Sequence, residues 1–245
     1  MSSREVAVVL GVGKTTVCSL IQSAGISRPR KPRACTFHRR ANHCEELDNE
    51  FIDYLDGLLI SDGSLIRPVG CSIASYYRQS CVYAEWLTSI ADKFKTKGID
   101  CSITADNRRI KPKKSCYSMA TPTYVELCRQ YRRWYPSGEK KVPRDINLGN
   151  VDLIKNWIYG DGTLLQGNSL RFCCDSFSIE DVEFLISKFA DMGWLFGKVW
   201  MGKSKMGNDK WRLSLCKRNG LGSFYEWLGE PEVRCYSYKW AVNKG

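Results

Sequence analysis

The chain has 245 residues, enough for one sizeable core or two small fused ones with a short extra module. Its 37 Lys and Arg against 26 Asp and Glu leave a formal charge of +11, which favours a polyanionic partner, nucleic acid first. No apolar run is long enough to span a bilayer and no signal-peptide pattern opens the chain, so an intracellular protein with no membrane partner is expected.

Residues 1–46 read as a separate basic piece. Through Cys44 they carry Arg4, Lys14, Arg28, Arg30, Lys31, Arg33, Arg39 and Arg40 against Glu5 alone. Ser3 to Val9 reads as a helix, Leu10-Gly11-Val12 as a turn, and Lys14 to Ala24 as a second helix. Ala7, Gly11 and Val17 have the spacing of a helix-turn-helix, which resembles DNA-binding modules of that type. Pro29 and Pro32 keep Ser27 to Arg33 out of helix, leaving an extended arm suited to phosphates or a minor groove. Lys14, Arg28, Arg30 and Arg33 are the candidate DNA contacts here. Cys35, His38, His43 and Cys44 are zinc-ligand types, but their spacing and the adjacency of His43 and Cys44 disfavour one tetrahedral ion. The 12 cysteines form no CxxC pair and no disulfide-like framework, so reduced thiols are expected.

The rest of the chain is a repeat. Leu58-Leu59-Ile60-Ser61-Asp62-Gly63-Ser64-Leu65 returns as Trp157-Ile158-Tyr159-Gly160-Asp161-Gly162-Thr163-Leu164, the two aspartates 99 positions apart. Lys140 follows Asp62 by 78 residues and Lys239 follows Asp161 by 78. Each copy, 47–147 and 148–245, predicts the same order. A helix ends at Asp-Gly; two strands follow (64–80; 163–176), then a helix (81–97; 179–192), two more strands (99–106 and 114–121; 196–202 and 210–216), and a further helix (122–134; 219–228). Helices interleaved with hairpin-like strand pairs argue for an α+β half rather than a doubly wound sheet.

Within the first motif, Phe51, Tyr54, Leu55, Leu58 and Leu59 form an apolar helix face. Gly57 and Ser61, four apart, allow a second helix to approach closely, and Asn156 and Gly160 hold the matching places in the second copy. Gly63 and Gly162 are expected to end their helices in a left-handed turn. Asp62 and Asp161 then face the negative ends of their helix dipoles, and paired helices would also set the two carboxylates near each other. Stability alone would not select that arrangement. A divalent cation, Mg2+ or Mn2+, resolves it, and two acids with metal on a basic chain are the ingredients of phosphodiester hydrolysis.

The two Asp-Gly helices, with Trp134-Tyr135-Pro136, Lys140-Lys141-Val142-Pro143 and Tyr238-Lys239-Trp240 in order, resemble the LAGLIDADG homing endonucleases in their single-chain, two-motif form. The resemblance spans residues 48–240. It implies two pseudo-symmetric αββαββα halves with the motif helices paired at the centre and each four-stranded sheet lying in the DNA major groove. It implies metal binding by Asp62 and Asp161, and active-site roles for Lys140 and Lys239, with Lys141 the alternative to Lys140. Gln79 and Asp175 match a polar active-site position that varies in the family. The implied activity of the monomer is a staggered double-strand break with 3′ overhangs in a long DNA target. Two other activities of such folds stay open: an RNA-splicing maturase, with intron RNA as partner, and a non-cleaving transcription regulator. Strand alternation nominates Arg67, Ser75, Tyr77, Arg109 and Lys113 in the first half as base contacts. Arg171, Lys198, Lys203, Lys210, Arg212 and Lys217 are nominated in the second.

Overall fold

The structure, a computed structural model, describes residues 41–242 except 71–72, 107–115, 167, 205–206 and 208, together with scattered positions between 7 and 19. The chain divides after Thr36 into two compact units. In the first, residues 7, 9 and 10 are helical, Gly11 turns the chain at φ +63°, and helix resumes at residues 15–17 and 19. Ala7 and Val17 are buried, and the Val12 N–H donates to the Ala7 carbonyl at 3.1 Å. Lys14, Arg28, Arg30, Arg33, Arg109, Lys113, Cys35 and His38 lie outside the described residues.

The second unit is α+β. Its first half runs α1 (Asn49–Leu59), β1 (Ser64–Ile66), β2 (Tyr76–Cys81), α2 (Ala84–Lys95), β3 (Ser102–Asp106), β4 (Cys116–Ala120) and α3 (Val125–Trp134). Its second runs α4 (Val151–Asp161), β5 (Gly162–Leu165), β6 (Ser169–Cys173), α5 (Ile179–Asp191), β7 (Gly197–Lys203), β8 (Asp209–Cys216) and α6 (Leu221–Leu228). Short 3-10 turns at Lys217–Asn219 and Arg234–Trp240 flank α6. The strands form two four-stranded antiparallel sheets, β1-β2-β4-β3 and β5-β6-β8-β7. This is the αββαββα order expected of each half.

Alternation along the strands divides each sheet into a face against the helices and an open face. In β2, Tyr77 and Gln79 are buried toward α2 while Arg78 and Ser80 are exposed. In the second sheet Leu170, Phe172, Leu213 and Leu215 point inward. Helices α2 and α5 cover the inner faces, with Phe94 against Tyr77 and Phe189 stacked on Phe196.

Helices α1 and α4 pack on each other at the centre. Each is started by a polar N-cap: Asp48 accepts from the Phe51 N–H, and Asn150 accepts from the N–H groups of Asp152 and Leu153. Both helices are buried on nearly every side through their later turns, and the polar residues Asp56, Lys155 and Asn156 are buried with the apolar ones. Small residues set their separation. A Cβ at Gly57 would stand 2.3 Å from the Leu153 carbonyl oxygen, and one at Gly160 would stand 2.6 Å from the Ser61 side chain. At the position matching Gly57, Asn156 is buried and its amide donates to the Tyr54 carbonyl at 3.5 Å. The pseudo-dyad therefore relates a backbone contact to a side-chain hydrogen bond.

One expectation is corrected. Neither motif glycine adopts a left-handed conformation; Gly162 is extended, at φ −73° and ψ 136°. The glycines are needed for space instead. A Cβ at Gly63 would lie 2.6 Å from the Leu58 carbonyl oxygen and 2.6 Å from the Tyr77 hydroxyl, and one at Gly162 would lie 2.6 Å from the Ile158 Cα.

Gly57→Ala should lower unfolding free energy by about 1–3 kcal/mol, because the added methyl meets rigid backbone. Gly222→Ala, in α6 with nothing near its Cβ position, should be neutral or gain about 0.5–1 kcal/mol. Urea unfolding of the two variants checks the contrast.

Candidate functional site

Asp62 follows the end of α1, and Asp161 is the last residue of α4. Their helices cross at Ser61 and Gly160, so the two carboxylates come to the same end of the pair, each within electrostatic reach of the other. Lys140 Nζ donates to the carbonyls of Ser61 (3.0 Å) and Gly63 (3.1 Å), so it grips the turn that carries Asp62. Lys239 Nζ does the same below Asp161, donating to Ile158 (2.8 Å), Tyr159 (2.7 Å) and more distantly Gly160 (3.5 Å). Both lysines thus satisfy carbonyls that a helix C-terminus leaves without partners. Lys141 is exposed and contributes its backbone N–H to the Trp134 carbonyl. The geometry places Lys140, rather than Lys141, beside the acid.

Four ionisable groups share this small volume. Burial and then the Asp62 charge push Asp161 up to about 7, against the pull of Lys140, Lys239 and Arg212. Asp62 is raised by burial, although its side chain reaches solvent, with both lysines opposing the shift. Burial drives Lys140 and Lys239 down to about 8, although both aspartates favour their charged forms. Desolvation outweighs attraction for all four.

Each lysine-bearing segment is braced by the opposite half. The Val142 N–H donates to Asp181 at the start of α5 (3.4 Å), and Arg144 pairs with the same carboxylate at 2.9 Å. Across the dyad, the Arg234 N–H donates to Glu85 at the start of α2 (3.0 Å), while Tyr236 meets the Cys81 thiol (3.1 Å) and packs edge-on against Trp86.

Gln79 and Asp175 are not equivalents. Strand register aligns Ser64 with Arg78 and Thr163 with Arg171, so the partner of Gln79 in the repeat is Phe172. Gln79 is buried, its Oε1 accepting from the Tyr77 hydroxyl and its Nε2 unpartnered among the described residues. Asp175 follows β6 and is held by Arg212, which also reaches the Cys173 sulfur at 2.8 Å.

The open faces of the two sheets are rich in small hydroxyls. In the first sheet Ser64, Ser80, Ser102, Thr104 and Ser118 share that face with Arg78; in the second, Thr163, Ser169 and Ser214 share it with Arg171, Lys210 and Arg212. Arg67 is exposed just past β1, over the Tyr131 ring, and Lys203 and Lys217 are exposed at the ends of β7 and β8. Three expected base contacts are corrected. Ser75 and Tyr77 are fully buried on the helix side, so neither can touch a base. Lys198 sits opposite Leu213 on the helix side and pairs with Glu183 of α5. Arg78 joins the open face without a signal in the sequence, because Tyr76-Tyr77 gives no hydrophobic contrast to set the strand phase. His43 and Cys44 meet Glu126 on α3, at 2.9 and 3.5 Å.

A family model described as the LAGLIDADG DNA endonuclease family matches residues 52–220. The uncharacterized protein MJ1098 of Methanocaldococcus jannaschii is 29% identical over 195 residues, 77% of this chain and 72% of its own length. The homing endonuclease I-WcaI, solved bound to its DNA recognition sequence, shares the fold with a TM-score of 0.65 at 12% identity, over 89% of this chain and 96% of that one. Full-length DUF199/WhiA from Thermatoga maritima aligns with a TM-score of 0.47 and 12% identity, over 78% of this chain and 59% of its own.

The pKa shifts give the metal-free protein a defined pH dependence. Asp161 holds its proton up to about 7 in the fold but only to the ordinary carboxylate range when unfolded. Between those values the native state binds more protons, so its contribution to stability is present at low pH and lost as pH rises toward 7. The lysines, lowered to about 8, act in the opposite sense: stability is regained from pH 8 upward as they shed their charge. Asp161→Asn should flatten the decline between pH 4 and 7 and raise metal-free stability at neutral pH. Denaturant titrations across pH on both proteins check this.

Proposed function

Since the chain belongs to the LAGLIDADG DNA endonuclease family, we propose that it is a site-specific DNA endonuclease that cuts both strands of a long target with a divalent metal. The observation that carries the reading is the paired acid-lysine arrangement at the crossing of α1 and α4. Two carboxylates whose pKa values are raised by burial make a poor structural motif and a good cation site. With two protein carboxylates available, a bound cation would take its remaining ligands from water and phosphate oxygens, which suits Mg2+ or Mn2+.

Asp62 and Asp161 would hold the cations, which when bound supply Lewis-acid polarisation and charge neutralisation at the phosphate. The chain's own residues do the rest. Lys140 and Lys239, fixed by main-chain carbonyls, hold a proton at Nζ beside each acid, where charge develops on the scissile phosphate. Their lowered pKa values place that proton near neutral pH, where it can also be exchanged. The open sheet faces bind and orient the duplex. Ser and Thr hydroxyls present donors and acceptors to base edges, and Arg78, Arg171 and Arg212 offer bidentate contacts to guanine or phosphate. Intact acids in both halves favour cutting over a purely structural role.

A second reading has its own support. The first unit's buried Ala7 and Val17 around the Gly11 turn, on a basic segment, suit an added DNA-binding module, as in a regulator that binds without cutting. On either reading, residues 1–36 extend the DNA contact without chemistry.

Asp62→Asn and Asp161→Asn should each abolish double-strand cleavage of a selected target with Mg2+ while leaving affinity nearly intact, and Lys140→Met or Lys239→Met should slow cleavage by about 10²–10³-fold. Selection from a random plasmid library, followed by gel assays, reads both. Cleavage by neither the unaltered protein nor any variant, with tight sequence-specific binding, would favour the regulator. A chain beginning at Ala41 should bind more weakly and with a shallower salt dependence, about one unit of slope for each phosphate it no longer neutralises.

A further inference from the structure

The two halves hold their lysine segments to the motif helices with opposite chemistry. In the first, Asp56 lies in mid-helix and is fully buried. Its carboxylate takes the Arg133 guanidinium at 2.6 and 2.7 Å and the Trp134 indole N–H at 2.7 Å. Arg133 and Trp134 end α3 and start the segment that leads to Lys140, a segment closed at its far end by the Lys141 N–H on the Trp134 carbonyl, 2.8 Å. In the second half, Lys155 of α4 pairs with Glu232 at 2.8 Å, and the Glu232 N–H donates to the Tyr159 hydroxyl at 2.9 Å. Glu232 starts the segment that leads to Lys239. Lys155 is 99 positions after Asp56, Glu232 is 99 after Arg133, and Lys239 is 99 after Lys140. The same spacing separates the two acids.

The ion pair therefore occupies the same place in both halves with its charges exchanged. A motif-helix acid with its base at the end of α3 in one half is matched by a motif-helix base with a loop acid in the other. Loss of Arg133 would leave Asp56, and loss of Glu232 would leave Lys155, a buried charge without its ion-pair partner, which is costly. The two halves thus share a link between motif helix and lysine segment and differ in its sign.

We propose that Asp56–Arg133 and Lys155–Glu232 are positioning pairs: each clamps the segment carrying its half's lysine onto the motif helix, so that Lys140 and Lys239 meet the helix end at a fixed height beside Asp62 and Asp161. Each segment is then held at two points on one helix, by the ion pair near the middle and by the lysine at its end. Each pair acts through the lysine at the end of its segment, so its part in cleavage is indirect. The importance of that part rests on the endonuclease reading, but the clamp itself does not.

The second pair is the more open to test, because the Glu232 side chain is 67% exposed. In full-length protein without DNA, amide hydrogen exchange is followed for residues 232–240, with residues 134–141 of the same molecule as internal reference. Lys155→Asp should speed exchange of 232–240 by about tenfold, the factor that ~1.4 kcal/mol of local closure represents, and leave 134–141 unchanged. Adding Glu232→Arg, which transplants the first half's sign, should restore protection. Should Lys155→Asp fail to fold, Glu232→Gln must show a smaller rise confined to the same segment. Unchanged exchange at 232–240 in a folded variant overturns the proposal, as does equal acceleration of both segments or failure of the reversed pair to restore protection. In cleavage assays the broken clamp should slow one strand more than the other at unchanged DNA affinity, so that nicked plasmid accumulates, and the reversed pair should remove the nick. If both strands slow together, the clamp does not position Lys239. Unaltered protein that cuts nothing, with the exchange result intact, counts against the endonuclease reading alone.

Discussion

Everything distinctive in this molecule depends on how closely α1 approaches α4. Gly57 lets the Leu153 backbone in, and Gly160 does the same for Ser61. A crossing this tight has no room for ordinary side chains, and it brings two helix C-termini together. The carboxylates, the lysines and the symmetry of the sheets follow from that single contact. Widening the crossing by a methyl group would separate the acids as well as loosening the core, so packing and chemistry are one constraint here.

The electrostatics follow from the same crowding. Two acids placed at the negative ends of two helices, with two lysines drawn in against main-chain carbonyls, leave four groups whose charged forms are disfavoured by burial. A hydrophobic helix end would fold better. The surrounding structure over-determines the site to compensate: each lysine segment is tied to its own motif helix, and braced by the first turn of a helix from the other half. Neither half is a finished object without its partner, even though each contains a full αββαββα set.

Much of this is legible in the chain. The Asp-Gly repeat, the small residues four apart, and the equal acid-to-lysine spacing are local patterns tied to local geometry, and they locate the helix pair and Lys239, while Lys140 is separated from Lys141 only by its hydrogen bonds to the Ser61 and Gly63 carbonyls. Element order is legible for the same reason. Phase and purpose are not. In Tyr76-Tyr77 both side chains suit either face of a strand, so periodicity cannot say which is buried, and Ser75 is misplaced with it. Lys198 looks free in sequence because its partner, Glu183, comes from a helix packed across the sheet, a contact no spacing rule foresees. The motif glycines suggest a backbone conformation when they serve clearance, because a glycine's neighbours in space are invisible in sequence. Gln79 and Asp175 look alike in sequence as polar residues closing a hairpin; the hairpin of the second half is shorter, and only strand register shows the slip.

The open sheet faces carry a consequence for how a chain of this kind changes over time. Their hydroxyls already engage one another or nearby carbonyls: Ser80 with Ser118, Ser169 with Ser214, Ser102 with the Ala120 carbonyl. A hydroxyl can donate or accept, and turning its proton costs little. A surface of such groups can exchange one hydrogen-bonding pattern for its complement with no movement of the backbone, whereas an arginine or an acid commits its position to one polarity. Laid against a base sequence, it would tolerate drift where hydroxyls stand and be stricter where Arg78, Arg171, Lys210 and Arg212 stand.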